Sequence, residues 1–363
     1  MLDQNLKTQL KGYLANIRQP IELVASTNDS AKSREMMELL DEVAALSDQV
    51  SVVRADDDQR RPSFLIRRVG TDIGVRFAGV PMGHEFTSLV LALLQVGGHP
   101  GTVHAHGAWV VKQCLATEAY FYQETWAPYP SVAAAALQAW MPACWGIADE
   151  QGHWLPGWPQ RTLPPPPPCG AYTLYLENLT APFVRANVCD IKLGTVLYDE
   201  TAPQVTPEKR AKMERKARET TSAEHGVRVT GWCAWDERTQ AFSLVGKEPG
   251  RAARTRGDLC DLLRRALSTD DARRAQLVRT HLLPRLGALR EALAAMPLRL
   301  RSASVLVVME GDAAALDARL ATGGPVLDVR LIDFAHTCWA DACDSGALLG
   351  LQVLYELGGH LAA

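Results

Sequence analysis

The stretch NVCDIKLGT (187–195) sets a carboxylate, Asp190, two residues before a cation, Lys192, inside an otherwise apolar run, with Gly194 two residues further on. Residues i and i+2 of a strand point to one face. Asp190 and Lys192 therefore project together, with Val188, Cys189 and Ile191 supplying apolar surroundings. Taken alone, this is equally an ion pair across one sheet face. Two other features decide between that reading and chemistry. LIDFAHT (331–337) is an apolar strand that ends in Asp333, and a carboxylate at a sheet mouth is a ready Mg²⁺ ligand. AWVVKQ (108–113) places Lys112 on an early strand, with Glu118 on the helix that follows. A strand lysine that holds phosphates and a helix glutamate that orients it form a kinase arrangement. Each feature is weak by itself. Together they supply what phosphoryl transfer requires: a cation on the phosphates, a metal-binding carboxylate, and a group for the acceptor hydroxyl.

The chain around these motifs has 363 residues, 47% of them hydrophobic, and a net charge of −3. The length predicts two domains or one large one. The charge argues against a coat for nucleic acid or membrane, and no run of 18 apolar residues predicts a spanning helix. The polar N-terminus does not read as a signal peptide. Eight cysteines show no CxxC spacing, which predicts reduced thiols and an intracellular protein of cytoplasm or nucleus. None precedes Cys114, so residues 1–113 and the remainder differ in origin.

The first hundred residues alternate. Periodicity predicts helices over 6–17, 30–46 (capped by Ser30 or Asp29) and 85–97, with strands over 20–27, 50–55, 62–69 and 73–80. That order predicts a thioredoxin-like α/β module over 1–98. MLDQNLKTQLKGYL, DSAKS, PSFLI, RFAG and GHEFTSLVLALL resemble the N-terminal segment of the flavoprotein component of bacterial alkyl hydroperoxide reductase. In that family the segment is the thioredoxin fold without a dithiol. Here too ASTNDSAKS (25–33) contains no cysteine, so thiol exchange is excluded. The module reads as redox-silent and as a fusion partner, with the change of character near GGHPG (97–101).

The second part, 99–363, predicts strands at 108–113, 171–179, 187–199, 227–236, 303–312 and 326–337. It predicts helices from 117, over 207–221 and 257–267, over 275–296 and over 347–361. Pro164–Pro168 form a polyproline loop, either a spacer or an SH3-type ligand. NVCDIKLGTVLYDE resembles the P-x-x-x-D-x-K-x-G signature of the inositol polyphosphate kinases, with Ala186 where the pattern has proline. SASVLVVMEGD resembles that family's S-S-L-L strand, LIDFAHT its I-D-F-A-H-T segment, and DACDSGALLGLQVLYEL its closing helix. The likeness spans about 95–363 and is strongest to fungal-type multikinases.

The resemblance implies a two-lobed kinase-like α+β domain that uses ATP and Mg²⁺. It implies that Lys112, oriented by Glu118, holds ATP phosphates, that Glu177 lies in a hinge whose backbone holds adenine, and that Asn178 meets the ribose. It places Ser304 near the phosphates, makes Asp333 the metal ligand with His336 supporting it, and makes Asp190 and Lys192 the acceptor-site pair. Where the family has I-K-P this chain has Val111-Lys112-Gln113, and Ala303 replaces one serine. Neither change removes a charge the mechanism needs.

The substrate side has its own argument. Between Glu208 and Glu219 lie six basic and three acidic residues, and Lys209, Lys212 and Lys216 share one helical face. Such a face suits several phosphates. The alternative is a solvated helix with pairs such as Glu208–Lys212. Lys247 and Arg251 are weaker substrate candidates. The favoured reading is an inositol tris/tetrakisphosphate multikinase acting on a small molecule. Its rivals are an inositol hexakisphosphate kinase, a redox docking module carried by 1–98, and a kinase-like scaffold without turnover.

Overall fold

The computed structural model describes residues 2–362 except 3, 16, 18, 57, 71–73, 82–88, 91, 94–95, 98–102, 127–130, 159–170 and 201–204. The proline run and most of the expected junction motif therefore lie outside the described residues, as does part of the helix expected over 85–97.

The N-terminal part is an α/β unit. Strand β1 (Ile21–Ser26) pairs in parallel with β2 (Val50–Arg54) and antiparallel with β3 (Ser63–Arg68), which continues to β4 (Gly74–Ala78); the order is β2-β1-β3-β4. Helices Gln4–Leu14 and Ala31–Ala44 accompany the sheet. Ser30 caps the second by accepting from the Ser33 N–H at 3.2 Å, as its sequence position predicts. At the end of β1, Asn28 Oδ1 accepts from the Ser30 N–H and from the Ser30 and Ser33 hydroxyls. That position is a hydroxyl–amide network and not a thiol pair.

Two further sheets follow. The first has the order β5-β6-β8-β7, built from β5 (Val103–His106), β6 (Trp109–Cys114), β7 (Cys144–Ala148) and β8 (Tyr172–Glu177), all antiparallel. Helix Ala116–Thr125 leaves directly from β6. The second contains β9 (Ala186–Leu193), β10 (Val227–Asp236), β11 (Ala241–Val245), β13 (Ser304–Glu310) and β14 (Leu327–Ile332), in the order β11-β10-β9-β13-β14. A short ribbon joins β12 (Leu298–Arg299) to β15 (Cys338–Trp339).

Strand β9 shows why NVCDIKL reads as it does. Asn187, Cys189, Ile191 and Leu193 are buried, and Val188, Asp190 and Lys192 between them are only half-buried. The hydrophobic residues face the core that includes Leu259 and Leu263 of helix Arg256–Ala266 and Leu351 and Leu354 of helix Ser345–Ala362. The charged pair faces the other way. The strand is shorter than the expected 187–199. Gly194 takes φ +98° and its N–H bonds the Gly226 carbonyl at 2.8 Å, which turns the chain away. The long helix expected over 275–296 is likewise interrupted by a π turn at Val278–Leu282. Pro284 follows and has no N–H to offer the preceding turn.

Among the described residues no helix is long and apolar enough to cross a membrane. The buried apolar side chains form two clusters, one drawn from residues 2–96 and the other from 114–362.

Candidate functional site

Three distant segments meet at Asp333. It follows the last residue of β14 and adopts φ +65°, a left-handed conformation that is rare outside glycine. Lys112 Nζ, from β6, lies 3.1 Å from Asp333 Oδ1; Lys192 Nζ, from β9, lies 2.6 Å from Oδ2. Glu118 closes the group. Its Oε1 accepts from Lys112 Nζ at 2.7 Å and from the Phe334 N–H at 3.0 Å, so one carboxylate holds the lysine and the strained turn together. Lys192 also donates to the Ser302 carbonyl at 2.7 Å.

The electrostatics follow from this crowding. Burial alone would raise the Asp333 pKa, but the charges of Lys112 and Lys192 outweigh it and hold it at about 2. Burial would lower the Lys112 pKa; Glu118 and Asp333 outweigh that and raise it.

Lys112 and Asp333 form the shared wall of two cavities. One, of about 270 Å³, is lined by Val110, Tyr122, Leu176, Leu179, Leu306 and Ile332, with Glu177, Asn178 and Thr180 at its rim. It is an apolar slot with two charged groups at one end, the shape and polarity that suit an aromatic base with a charged tail. The other, of about 360 Å³, is lined by Glu118, Lys192, Arg301, Ser302 and His336.

Asp190 does not pair with Lys192, so the ion pair allowed by the sequence does not form; the partner of Lys192 is Asp333. Asp190 Oδ1 is buried and has no hydrogen-bond partner among the described residues. Ser304 sits opposite Lys192 in the sheet, is 0% exposed, and its hydroxyl has no partner among them either. Two buried polar groups without partners among the described residues therefore lie on the lysine-bearing face, available to the polar atoms of a ligand.

The hinge residues differ from expectation in detail. The N–H groups of Glu177 and Asn178 already donate to the Ala143 and Ala108 carbonyls, at 2.7 and 2.9 Å. The Glu177 carboxylate accepts from the Ala143 N–H and pairs with Arg330 at 3.2 Å. The Asn178 amide donates to the Gly107 carbonyl and accepts from Thr180. These groups fix the rim; the Asn178 carbonyl also accepts from the Ala181 N–H at 3.0 Å, and the second amide hydrogen of Asn178 remains for a ligand.

On the basic helix Pro207–Arg218 the three lysines separate. Lys209 and Lys212 are exposed, and among the described residues no ion pair joins Glu208 to Lys212. Lys216 is half-buried, and its pKa is lowered first by that burial and then by the charges of Arg228, Arg251, Lys247 and Lys192. Lys247 and Arg251, weak in the sequence, thus belong to the same cationic group as Lys216. Arg228 joins them without any expectation from the sequence. It lies on β10 opposite Lys192, is 5% exposed, and its Nη1 has no partner among the described residues. Like charges placed directly across a sheet destabilise it, and this register between VRVTG and DIK is visible only in the structure.

Among the described residues no group of three His, Cys, Asp or Glu could hold a metal. Asp333 is one carboxylate, 37% exposed, at the edge of both cavities. That suits Mg²⁺, which takes one or two carboxylates and completes its shell with phosphate oxygens and water.

The sequence profile of the inositol polyphosphate kinases matches residues 173–357, half of the chain. An inositol phosphate multikinase of S. cerevisiae, solved with ADP and Mn²⁺, aligns over 71% of this chain and 100% of its own, with a TM-score of 0.57 and 25% identity. The N-terminal segment matches the alkyl hydroperoxide reductase AhpF, at 55% identity over 126 residues in Pseudomonas aeruginosa and 58% over 101 in Escherichia coli. These matches cover 35% and 28% of this chain, and the chain spans only 24% and 19% of those two relatives.

Proposed function

The chain belongs to the inositol polyphosphate kinase family, and we propose that residues 99–363 transfer the terminal phosphate of ATP to a hydroxyl of an inositol tris- or tetrakisphosphate. The observation that carries this reading is the convergence of Lys112 and Lys192 on one strained carboxylate, Asp333, at the seam of two cavities.

The base would enter the apolar slot and run its phosphates towards Lys112, which Glu118 holds in place. Lys192 would meet the transferring phosphoryl group, and Asp190, with a free carboxylate oxygen, would accept the proton of the attacking hydroxyl. The hydroxyl oxygen bonds to the γ-phosphorus as the bond to the bridging oxygen breaks, and ADP leaves. Mg²⁺, held by Asp333, would neutralise charge on the phosphates. Lys216, Arg228, Lys247 and Arg251 would grip the other phosphates of the inositol ring. Arginine and lysine are suited to this, and the repulsion among them is relieved by an anionic ligand.

Residues 1–98, by their likeness to the reductase AhpF, we read as a thioredoxin-like module without redox chemistry. ADP release with inositol 1,4,5-trisphosphate, with inositol hexakisphosphate and with neither tests the assignment. Turnover with the trisphosphate supports the multikinase reading, turnover with the hexakisphosphate alone makes the chain a pyrophosphate-forming kinase, and turnover with neither removes the kinase reading.

A further inference from the structure

We infer that Arg301 is a positioning residue for Lys192: its guanidinium fixes the turn at Ser302, whose carbonyl holds the Lys192 ammonium against Asp333. The catalytic meaning of this role rests on the phosphoryl-transfer reading above.

Lys192 Nζ has two contacts among the described residues, Asp333 Oδ2 at 2.6 Å and the Ser302 carbonyl at 2.7 Å. The second depends on an unusual backbone, because Ser302 has φ +61°. A serine stays in that region only where its surroundings over-determine it. Its own hydroxyl contributes little, a 3.3 Å bond to the Leu197 carbonyl. The residue after Ser302 is tied to β9, where the Leu193 N–H donates to the Ala303 carbonyl at 2.9 Å, and the residue before it, Arg301, makes four side-chain bonds. Nε and Nη2 donate to the two oxygens of Glu200, both at 2.7 Å. Nη1 donates to the Leu300 carbonyl at 3.1 Å and to the Asp344 carboxylate. Asp344 in turn accepts from the Leu300 N–H at 3.1 Å and from the Ala347 N–H at 2.9 Å, in the first turn of the terminal helix.

One guanidinium therefore bolts together the loop that follows β9, the turn that precedes β13, and the start of the last helix. The fork geometry requires arginine, because a lysine ammonium cannot make two parallel bonds to one carboxylate. These bonds also hold the Glu200 carboxyl below its usual range, so the pair stays charged at neutral pH. Arg301 lines the second cavity, but with four of its five N–H donors committed it acts as a frame and not as a grip on ligand.

The test uses Arg301→Lys and the milder Glu200→Gln in the full chain. Trace amine acetylation, read by peptide mass spectrometry, gives the labelling rate of Lys192 relative to Lys112. Lys112 is the internal control, held by Glu118 and Asp333 with no contact to Arg301. The expected result is a several-fold rise in the Lys192:Lys112 ratio in both variants. It is accompanied by a loss of about tenfold in kcat, within the range that misplacement by up to an ångström produces, while the KM for ATP stays within about twofold. An unchanged ratio overturns the proposal. So does a parallel rise at both lysines with a lowered unfolding midpoint, which would mean general loosening. Labelling needs no turnover, so this claim and the kinase reading fail separately.

Discussion

Asp333 occupies a backbone region that costs an L-residue of order 1–3 kcal/mol, and it does so with a lysine ammonium on each carboxylate oxygen. Two cations drawn from strands far apart in sequence would repel each other without it. Asp333→Asn removes the compensating charge and the proposed metal ligand together, so turnover should fall by about 100-fold or more, the scale of losing one transition-state contact. Full turnover in this variant would exclude the role. The same residue makes a pH prediction. Its pKa lies at about 2 against an ordinary 3.8, so the folded state gains stability from its ionised form at pH above 3.8. That contribution is lost as pH falls through about 2. Acid unfolding followed between these two values should show this loss in the wild type, and the asparagine variant should lack that component. Asp190 makes a separate prediction. Its Oδ1 has no hydrogen-bond partner among the described residues, but its charge supports the buried Arg228 guanidinium, so Asp190→Ala should lower the thermal midpoint modestly and leave the chain folded. Its kcat should fall by about 10² to 10⁴, as for loss of a general base. A variant that unfolds, or one that keeps its turnover, would contradict this.

At the scale of elements, the alternation within NVCDIKL is readable because strand period and burial coincide there: the buried cysteine, isoleucine and leucine force Asp190 and Lys192 to the other face. Strands β1, β3, β6, β8, β10 and β13 and the charged helix are legible for the same reason, with apolar period and capping residues agreeing. Short edge pieces such as β11 and β7, and helix Glu248–Ala252, carry too few residues for a period to register. The meeting of Lys112 with Asp333 follows only from a resemblance, since no spacing rule links residues 221 apart. Arg228 escapes the sequence because a single arginine in a valine-rich strand has no local pattern. The basic helix face escapes it in another way. Sequence spacing makes Lys209, Lys212 and Lys216 equivalent, but only Lys216 is half-buried among other cations. Lys216→Glu should therefore raise the KM for the inositol phosphate by about tenfold or more, the scale of a lost charge-assisted bond, with the KM for ATP little changed. Lys212→Glu should do neither. Steady-state kinetics with each substrate varied in turn checks this, and equal effects of the two substitutions would return the helix to a solvated face.

At the scale of the molecule, two separate sets of buried apolar side chains imply two cooperative units, because cooperativity follows shared packing. The sheet β2-β1-β3-β4 carries its own core, with Leu23, Leu39, Phe64 and Ile66 completely buried, and owes no buried side chain to the second cluster. Every residue assigned here to phosphoryl transfer belongs to the part that begins near residue 99. We therefore predict that a chain starting at residue 99 keeps the kcat and both KM values of the full protein within about twofold, and that scanning calorimetry of the full chain resolves two transitions. The lower-numbered unit has no cysteine and supplies none of the residues assigned to the site, so its removal should leave the proposed transfer intact. The location of the boundary is what this measurement decides. A truncated chain that folds, binds ATP and yet turns over poorly would mean that residues before 99 complete the site. A single calorimetric transition would mean that the two cores melt as one, and the division at 98/99 would then be wrong.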